Sequence, residues 1–412
     1  DVIVTDHHRI SSPITGAIAV INPNREGCSS GLGHLAGVWV SFFLVIALRT
    51  FLRDKGFWKE RSEPNLKQFF DLVTLGTVAD MAPLIHENRI FYKSGLSMIR
   101  SGQRRGIRAL AESSGTPIHS VDTDDIAFRL SPRLNAAGRI GHAMTAFELL
   151  LEKEKESARE KADLLCQLNS TRQNLEKRLI EEIDHQLRTL PKMLRKRSLV
   201  VWGEGWHEGI LGIAASRLAD RYYRPTILIS LTDGSGKGSA RSIPGIDICR
   251  SLQLCINDLE GYGGHPMAAG LKVKSDSIAT FAENFDNAVA AVTRPDDFIP
   301  KITIDCTLPF EDLSSELIDG LEEIKPYGTG NPAPLFMAEN VSVIKSRIVG
   351  GAHRRMILSQ KTGHRREGIE AIQFNTSPDL ELKDRFSRIA YHPCWNSWEG
   401  RKNPQIIIHE AE

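Results

Sequence analysis

From Thr145 to Leu190 the sequence carries Leu164, Leu168, Leu175, Leu179, Ile183, Leu187 and Leu190 at spacings of three, four and seven, with Glu, Lys and Arg between them. That period puts the apolar residues on one stripe of an α-helix and the charges on its solvated face. Pro191 ends the run, because a proline ring clashes with the preceding helical turn. A helix this long connects domains, and at 412 residues the chain exceeds one ordinary core, so two to four domains are expected.

The patterns on either side agree. Residues 1 to about 150 alternate short apolar runs with helical patterns, the signature of an α/β domain. DVIVT is apolar enough for a strand buried on both faces of a parallel sheet. GVWVSFFLVIAL, from Gly37 to Leu48, falls far short of the roughly 20 residues that span a bilayer and predicts a buried helix. DLVTLGTVADMAPL, from Asp71 to Leu84, predicts a helix leading into a loop that carries Asp80. Beyond Pro191, SLVVWG, HEGILGIAASRLADRYY and PTILISL read as strand, helix and strand, a βαβ repeat that continues to about Val292. TRPDDFIP reads as a linker. After it, KITIDCTL, ENVSVIKSRIV, HRRMILSQ, EGIEAIQF and PQIIIHE are short runs separated by Gly, Asn and Pro, which predicts a small β-barrel. The expected plan is α/β: a parallel-sheet domain over 1–144, the connecting helix over 145–195, a second α/β domain over 196–294 and a barrel over 300–412.

Composition removes several classes. With 41% hydrophobic and 25% charged residues the chain is neither disordered nor membrane-spanning. Six cysteines lie scattered without a C-x-x-C pair, against a structural zinc site and in keeping with a reducing cytoplasm. A basic leader with a cleavage site is absent, so no signal peptide is expected. The chain opens inside DVIVT, without Met, and is expected to be a fragment lacking upstream residues.

Chemistry gathers at a few places. Asp6, His7 and His8 follow VIVT, at the strand end where α/β proteins place ligands. An imidazole there can take a divalent cation and a neighbouring carboxylate can set its tautomer; solvent-exposed histidines at a polar strand end are an equal alternative. Asp80 in GTVADM is by itself a helix cap, and with the first three residues it becomes a hard oxygen ligand for Mn²⁺ or Mg²⁺. RLSPRLNAAGRI sets Arg133 and Arg139 around Asn135 among small residues, either a phosphate grip or a helix start with surface arginines. GKGSARS puts Ser239 and Arg241 in a Gly-rich turn, and GYGGHPMAAG puts Gly263, Gly264 and His265 before a small-residue helix, each either an anion cradle or simply a turn. HEGILG begins like H-E-x-x-H, but Leu211 stands where the second His belongs, so a metalloprotease is excluded. Lys345, Arg347, Arg354, Arg355, Lys361, Arg365 and Arg366 form a basic stretch with no carboxylate, near Phe336, Phe374, Tyr391, Trp395 and Trp398. Basic residues with stacking aromatics suit a single nucleic-acid strand; the alternative is a solvated hairpin over a core that takes Phe374 and Tyr391.

VIVTDHH, GTVADMAPL, RLSPRLNAAGRI, HEGILGIAASRLADRY, GKGSARS, GGHPMAAGL and PYGTGNPAPLF, in that order, resemble the DHH phosphoesterase superfamily and within it the RecJ family of single-stranded-DNA exonucleases. The resemblance covers nearly the whole chain. It implies an incomplete DHH domain, a long helix, a DHHA1 domain and an OB-type barrel, hydrolysing phosphodiesters from the 5′ end with two Mn²⁺ or Mg²⁺ ions in DNA repair and recombination. It implies His7 and Asp80 as metal ligands, with His8, Asn135 and Arg139 acting at the scissile or neighbouring phosphate and Asp6 as a catalytic residue that orients or supports the histidines. Ser239 and Arg241 would hold a 5′-terminal phosphate, with Arg133, His207, Gly264 and His265 also on phosphate, and Lys345, Arg347, Arg354 and Arg355 on the strand.

The family carries further metal-binding aspartates upstream of DHH, and this chain begins after them, so the parent is expected to be active and the fragment nearly silent. Single-stranded DNA is the implied partner, with a single-strand-binding protein and a RecQ-type helicase beside it and no membrane. Two rivals stand against this reading. One is a relative acting on oligoribonucleotides or cyclic dinucleotides, which the barrel disfavours; the other is a strand-binding protein without catalysis.

Overall fold

The computed structural model describes the chain except residues 11–13, 351–352, 361–367, 377–382 and 399–400, and the backbone alone at 397, 398 and 401. It comprises two compact units. One holds Asp1–Met98, Asp122–Ala127 and Ile302–Glu412; the other holds Ile99–Val121 and Phe128–Lys301. Among the described residues no helix is long and apolar enough to cross a membrane.

In the first unit, β1 (Ile3–Thr5) pairs parallel with β2 (Ala19–Ile21), Ile3 opposite Ala19. The pattern DVIVT predicts burial on both faces, yet Val2 and Ile3 are more than half exposed, because among the described residues β1 pairs with β2 alone. GVWVSFFLVIAL forms α1 (Gly37–Asp54), but burial covers only its start: Trp39, Val40 and Phe42 are buried, Trp39 and Phe42 packing with Leu35, Leu66 and Val73, while Val45, Leu48 and Phe51 face solvent. The predicted helix before Asp80 is α2 (Phe70–Ala79), followed by α3 (His86–Ser101). The end of α2 is a Schellman motif: Met81 N–H bonds Val78 O and Ala82 N–H bonds Thr77 O. Met81 takes the left-handed conformation there, φ 56°, a cost of about 1–2 kcal/mol for a residue with a Cβ.

The second unit opens with α4 (Arg105–Ser113), α5 (Ser131–Ile140) and α6 (Met144–Leu151), then α7 (Lys155–Thr189). The single helix expected from Thr145 is interrupted at Glu152–Glu154, where the Glu152 carboxylate accepts from the N–H groups of Lys153 and Glu154 and from Lys161 and Ser157. The buried stripe also differs up to the middle of α7. Leu164 is 44% exposed, and the residues facing inward are Ala158, Ala162, Leu165, Asn169, Arg172 and Glu176. Arg172 donates to Glu176 Oε2 at 2.9 Å and to Asn169 Oδ1, and Arg217 Nε stands 2.8 Å from Glu176 Oε1 as an ion pair. The spacing of leucines cannot disclose a stripe whose middle is an ion pair.

Next come β3 (Leu199–Glu204), α8 (Glu208–Tyr222), β4 (Thr226–Thr232), β5 (Ser235–Arg241), α9 (Ile248–Gln253), β6 (Gly261–His265), β7 (Ala268–Lys274) and α10 (Ile278–Val292). The sheet order is β3-β4-β5-β7-β6. Only β3 and β4 are parallel, so the βαβ repeat stops after one crossover and the rest is antiparallel. The sequence signal for the first antiparallel turn is Asp233-Gly234, both at positive φ, as a two-residue hairpin of primed type requires. One face of the sheet packs Val201 and Leu228 on Leu211, Ala215 and Ile183; the other packs Ile227 and Ile229 on Phe281 and Phe285. Both phenylalanines are fully buried, worth about 1.5–3 kcal/mol each.

The C-terminal part of the first unit has β8 (Cys306–Thr307), α11 (Ser315–Glu323), β9 (Phe336–Val349), β10 (His353–Gln360), β11 (Ile369–Gln373), β12 (Arg385–Trp398) and β13 (Arg401–Ala411). The order β9-β10-β11-β13-β12 closes back on β9, a five-stranded barrel, with β11 and β13 parallel and the other barrel pairs antiparallel. Ala338, Val341, Met356, Leu358, Ala371, Ile389, Tyr391 and Ile406 fill it. This is the five-stranded closure of an OB fold.

Candidate metal and phosphate site

At the carboxyl end of β1 the chain turns sharply, and Asp6 makes the turn. Its Oδ1 accepts the backbone N–H of His7 at 2.7 Å and of His8 at 3.2 Å and stands 2.8 Å from His8 Nδ1. Asn24 Nδ2 donates to His7 O at 2.7 Å and Asn22 Nδ2 to His8 O at 2.8 Å, so the loop after β2 clamps both histidine carbonyls. Gly37 opens α1 against the His7 ring; a Cβ there would stand 3.3 Å from His7 Cδ2. The rings of His7 and His8 lie 4.5 Å apart, and ligand atoms of Asp6, His7 and His8 all fall within 4.8 Å of one another.

Asp80, at the end of α2, completes the group: its Oδ1 is 3.5 Å from His7 Nε2. That is long for a hydrogen bond. Two atoms each about 2.1 Å from one cation and about 90–110° apart would stand about 3.0–3.5 Å from each other, so the spacing fits two ligands of one ion. Burial pushes the Asp80 carboxyl above the usual carboxylate range, with His7 and His8 pulling it the other way. Burial also pushes Asp6 up, but the hydrogen bonds from His8 and from both backbone N–H groups outweigh it and hold Asp6 below that range. The carboxylate oxygens of the set suit Mn²⁺ or Mg²⁺, while its imidazole nitrogens are softer donors than Mg²⁺ prefers.

In the second unit, Asn135 and Arg139 lie one turn apart on the exposed face of α5. Arg139 Nη1 donates to Gly209 O at 3.3 Å, where α8 begins. Gly209 permits this approach, since a Cβ would fall 2.3 Å from Arg139 O. His207 caps α8 by accepting the Gly209 N–H at Nδ1, which directs Nε2 as the ring's donor. Beside them, Arg241 donates to Ser239 Oγ at 3.1 Å and to Ala240 O at 2.8 Å. A Cβ on Gly212 would stand 2.7 Å from Arg241 Nη2 and 3.1 Å from Ser239 Oγ, so α8 presses on both. Burial lowers the pKa of Arg241 and the like charge of Arg139 adds to it. Among the described residues no carboxylate forms an ion pair with Arg241. Ser239 also lines a cavity of about 430 Å³ with Leu211, Lys237, Tyr262 and Lys272. A half-buried cation without a counter-charge beside a helix N-terminus is arranged for an anion.

Several expected placements differ. Ser239 and Arg241 sit on strand β5, not in a turn. No helix follows GYGGH: β6 and β7 form a hairpin, and Gly264 (φ 155°) serves the strand pairing, since a Cβ would lie 2.3 Å from Ala268 O. His265 is exposed at the end of β6. Arg133 points away from the face of Asn135 and Arg139, donating to Arg129 O and Cys166 Sγ. Two residues along a helix turn the direction by about 200°, and four by about 40°.

In the barrel, Lys345, Arg347 and Arg355 line one concavity of about 210 Å³, with Arg355 forked onto Glu370. Arg354 faces inward instead: it is 1% exposed, bonds Ser346 Oγ and Lys383 O, and stacks over Phe386. Tyr391 is core as expected, but Phe374, also expected there, is 49% exposed against His353. Phe336 is core, and Trp395 is tied to Asp319. Lys361, Arg365, Arg366 and the side chain of Trp398 lie outside the described residues.

The DHHA1 domain family matches residues 195–294, and the RecJ OB domain family matches residues 304–410. The single-stranded-DNA-specific exonuclease RecJ of Salmonella typhimurium is 37% identical over 428 residues, covering 99% of this chain and 72% of its own length. The chain belongs to the RecJ family. The RecJ of Bacillus subtilis is 33% identical over the whole chain, which spans 51% of that relative. A crystal structure of RecJ from Thermus thermophilus in complex with Mn²⁺ superposes with a TM-score of 0.81 at 28% identity, covering all of this chain and 58% of that one. This RecJ-family chain thus spans between half and three quarters of the relatives it matches. Asn22, Asn24, Gly209 and Gly212 support the two sites, and sequence reasoning passed over them. The only available signal was polar or small residues beside a motif.

Proposed function

We propose that the protein carrying this chain is a divalent-cation-dependent phosphodiesterase that shortens single-stranded DNA from its 5′ end, releasing 5′-mononucleotides. The observation that carries this reading is the 3.5 Å approach of His7 Nε2 to Asp80, beside Asp6 and His8, at a strand end. The Mn²⁺ of the Thermus thermophilus relative supports a cation here, and Mg²⁺ has the same oxygen preference. When bound, such ions polarise a phosphoryl oxygen and lower the pKa of a bound water.

The chain's own residues do the rest. His7 and Asp80 hold the cation, Asp6 fixes the His8 ring by the contact at Nδ1, and His8 meets a nonbridging phosphate oxygen. Asn135 and Arg139 present an amide and a guanidinium from one helix face to a backbone phosphate. Arg241, Ser239 and the His207 ring supply donors for a terminal phosphate. A pocket for that group accounts for start at a 5′ end. Lys345, Arg347 and Arg355, with Phe374 as an exposed stacking ring, favour one strand along the barrel. A role in DNA repair and recombination in the cytoplasm belongs to the same reading. A single-strand-binding protein and a RecQ-type helicase fit it as suppliers of unpaired strand.

The test compares this chain with the full-length protein, each given Mn²⁺ and a 5′-phosphorylated single strand labelled at its 3′ end. The full-length protein is expected to shorten the strand stepwise from the 5′ end and Asp80→Asn to abolish this, while this chain alone cuts little. Retention of the strand without cutting by any form would make this a binding protein and overturn the catalytic reading.

A further inference from the structure

One motif of the sequence has no part in the sites above: PYGTGNPAP, Pro326 to Pro334, between α11 and β9. It closes on itself. Gly328 N–H bonds Asn331 O at 2.9 Å, Asn331 N–H bonds Gly328 O at 3.0 Å, and Asn331 Nδ2 donates to Ile324 O and Pro326 O. It is tied to the barrel through His392, whose Nδ1 bonds Pro334 O at 2.9 Å and whose ring meets that of Tyr327 edge-on.

Its other side lies on the segment that follows Asp80. Thr329 O accepts the Leu84 N–H at 2.7 Å. A Cβ on Gly328 would stand 2.9 Å from Leu84 Cδ1, and one on Gly330 (φ 77°) would stand 3.1 Å from Pro83 Cβ and 3.2 Å from Ile85 Cγ2. Arg89 Nη2, on α3, donates to Ile324 O and Lys325 O, both at 2.9 Å. Asn88 Nδ2 closes the far end onto Pro83 O.

Among the described residues no hydrogen bond reaches the Asp80 carboxylate, so the turn beneath it sets its position. That turn carries Met81 at φ 56° and His86 at φ 45°, conformations that persist only when the surroundings hold them. We propose that the Pro326–Pro334 loop is a positioning element for Asp80: by clamping Pro83–Ile85 it sets the distance between Asp80 and His7, and so the affinity of the cation site. The inference rests on Asp80 being a cation ligand.

The test uses the full-length protein and reads two quantities: Mn²⁺ affinity by electron paramagnetic resonance titration, and hydrogen exchange at the Leu84 amide. Arg89→Leu and Asn331→Ala are expected to speed exchange at Leu84 and weaken Mn²⁺ about tenfold, the loss typical of a ligand's supporting partner. Single-strand affinity should stay unchanged, and Arg89→Lys should recover part of the loss. Gly330→Ala tests the same clamp without touching a hydrogen-bonding side chain, should Arg89→Leu fail to fold. Faster exchange at Leu84 with unaltered Mn²⁺ affinity would reduce the loop to a packing element and overturn the proposal alone. Mn²⁺ binding by Asp80→Asn as tight as in the unaltered protein would remove the ligand reading and the proposal with it.

Discussion

Arg241 donates to Ser239 Oγ at 3.1 Å, two residues back on the same face of β5, and α8 presses on both through Gly212. The guanidinium is thereby fixed in direction before any anion arrives. Burial and Arg139 both disfavour its charge, and an anion set against the guanidinium would offset both.

Arg241→Met is therefore expected to raise KM for a 5′-phosphorylated strand by about 10–150-fold, the equivalent of about 1.5–3 kcal/mol for a charged hydrogen bond. The change should be much smaller for a strand ending in a 5′-hydroxyl. Steady-state kinetics on the two substrates check this; equal losses on both would sink the terminal-phosphate assignment.

Basic residues of β9 and the buried Arg354 of β10 should behave in opposite ways. Lys345→Ala and Arg347→Ala, on the outer face, are expected to weaken single-strand binding and each to reduce the slope of log K against log salt by about 0.7. Arg354→Met, buried over Phe386, should lower the barrel's melting temperature and leave that slope alone. Fluorescence titrations at several salt concentrations, with thermal melts, separate the two behaviours.

Glu176 holds Arg172 and Arg217 in the middle of α7 while itself fully buried. Glu176→Ala strands the buried Arg172 and is expected to destabilise the second unit by about 3–5 kcal/mol. Urea unfolding measures it. A loss below about 1 kcal/mol would class the pair with solvent-exposed ones.

His392 supplies part of the barrel's pH dependence, beside His409, whose pKa burial also lowers. Burial lowers the pKa of His392, with Lys325 adding to this and the bond to Pro334 O opposing it. A histidine whose folded pKa lies below its unfolded value of about 6.5 contributes fully above that value and loses its contribution as pH falls toward the folded pKa. The barrel's melting temperature should fall as pH is lowered from 7 to 5, and His392→Gln should reduce that dependence. An unchanged profile in the variant would place the titration elsewhere.

Much of the candidate site was legible because its parts sit at ends of elements. DVIVT followed by two histidines announces a strand end, and DLVTLGTVAD a helix end carrying Asp80. Other parts were not. Arg133 and Arg139 look equivalent in RLSPRLNAAGRI, and only the helix rotation separates them. Leu164 looks like core, but around the middle of α7 the seam runs through Asn169, Arg172 and Glu176. GYGGHPMAAG has the small residues of a helix start or a close strand pair, and the hydrogen bonds available from β5 decide for the pair.

The sequence alone determined several elements of this chain and the residue types at their ends: a strand closing on Asp6-His7-His8, a helix closing on Asp80, a long charged helix, and short runs for a barrel. Those follow from periods of two and 3.6 residues and from capping, which act within a few residues. Which of those ends meet was decided by tertiary structure alone. His7 and Asp80 approach because α1 packs on α2 around Trp39, Val73 and Ala82, and Arg354 turns inward because the barrel closes β9 onto both β10 and β12. Contacts between residues far apart in the chain cost loop-closure entropy and form only when burial offsets it, and no local pattern records that balance.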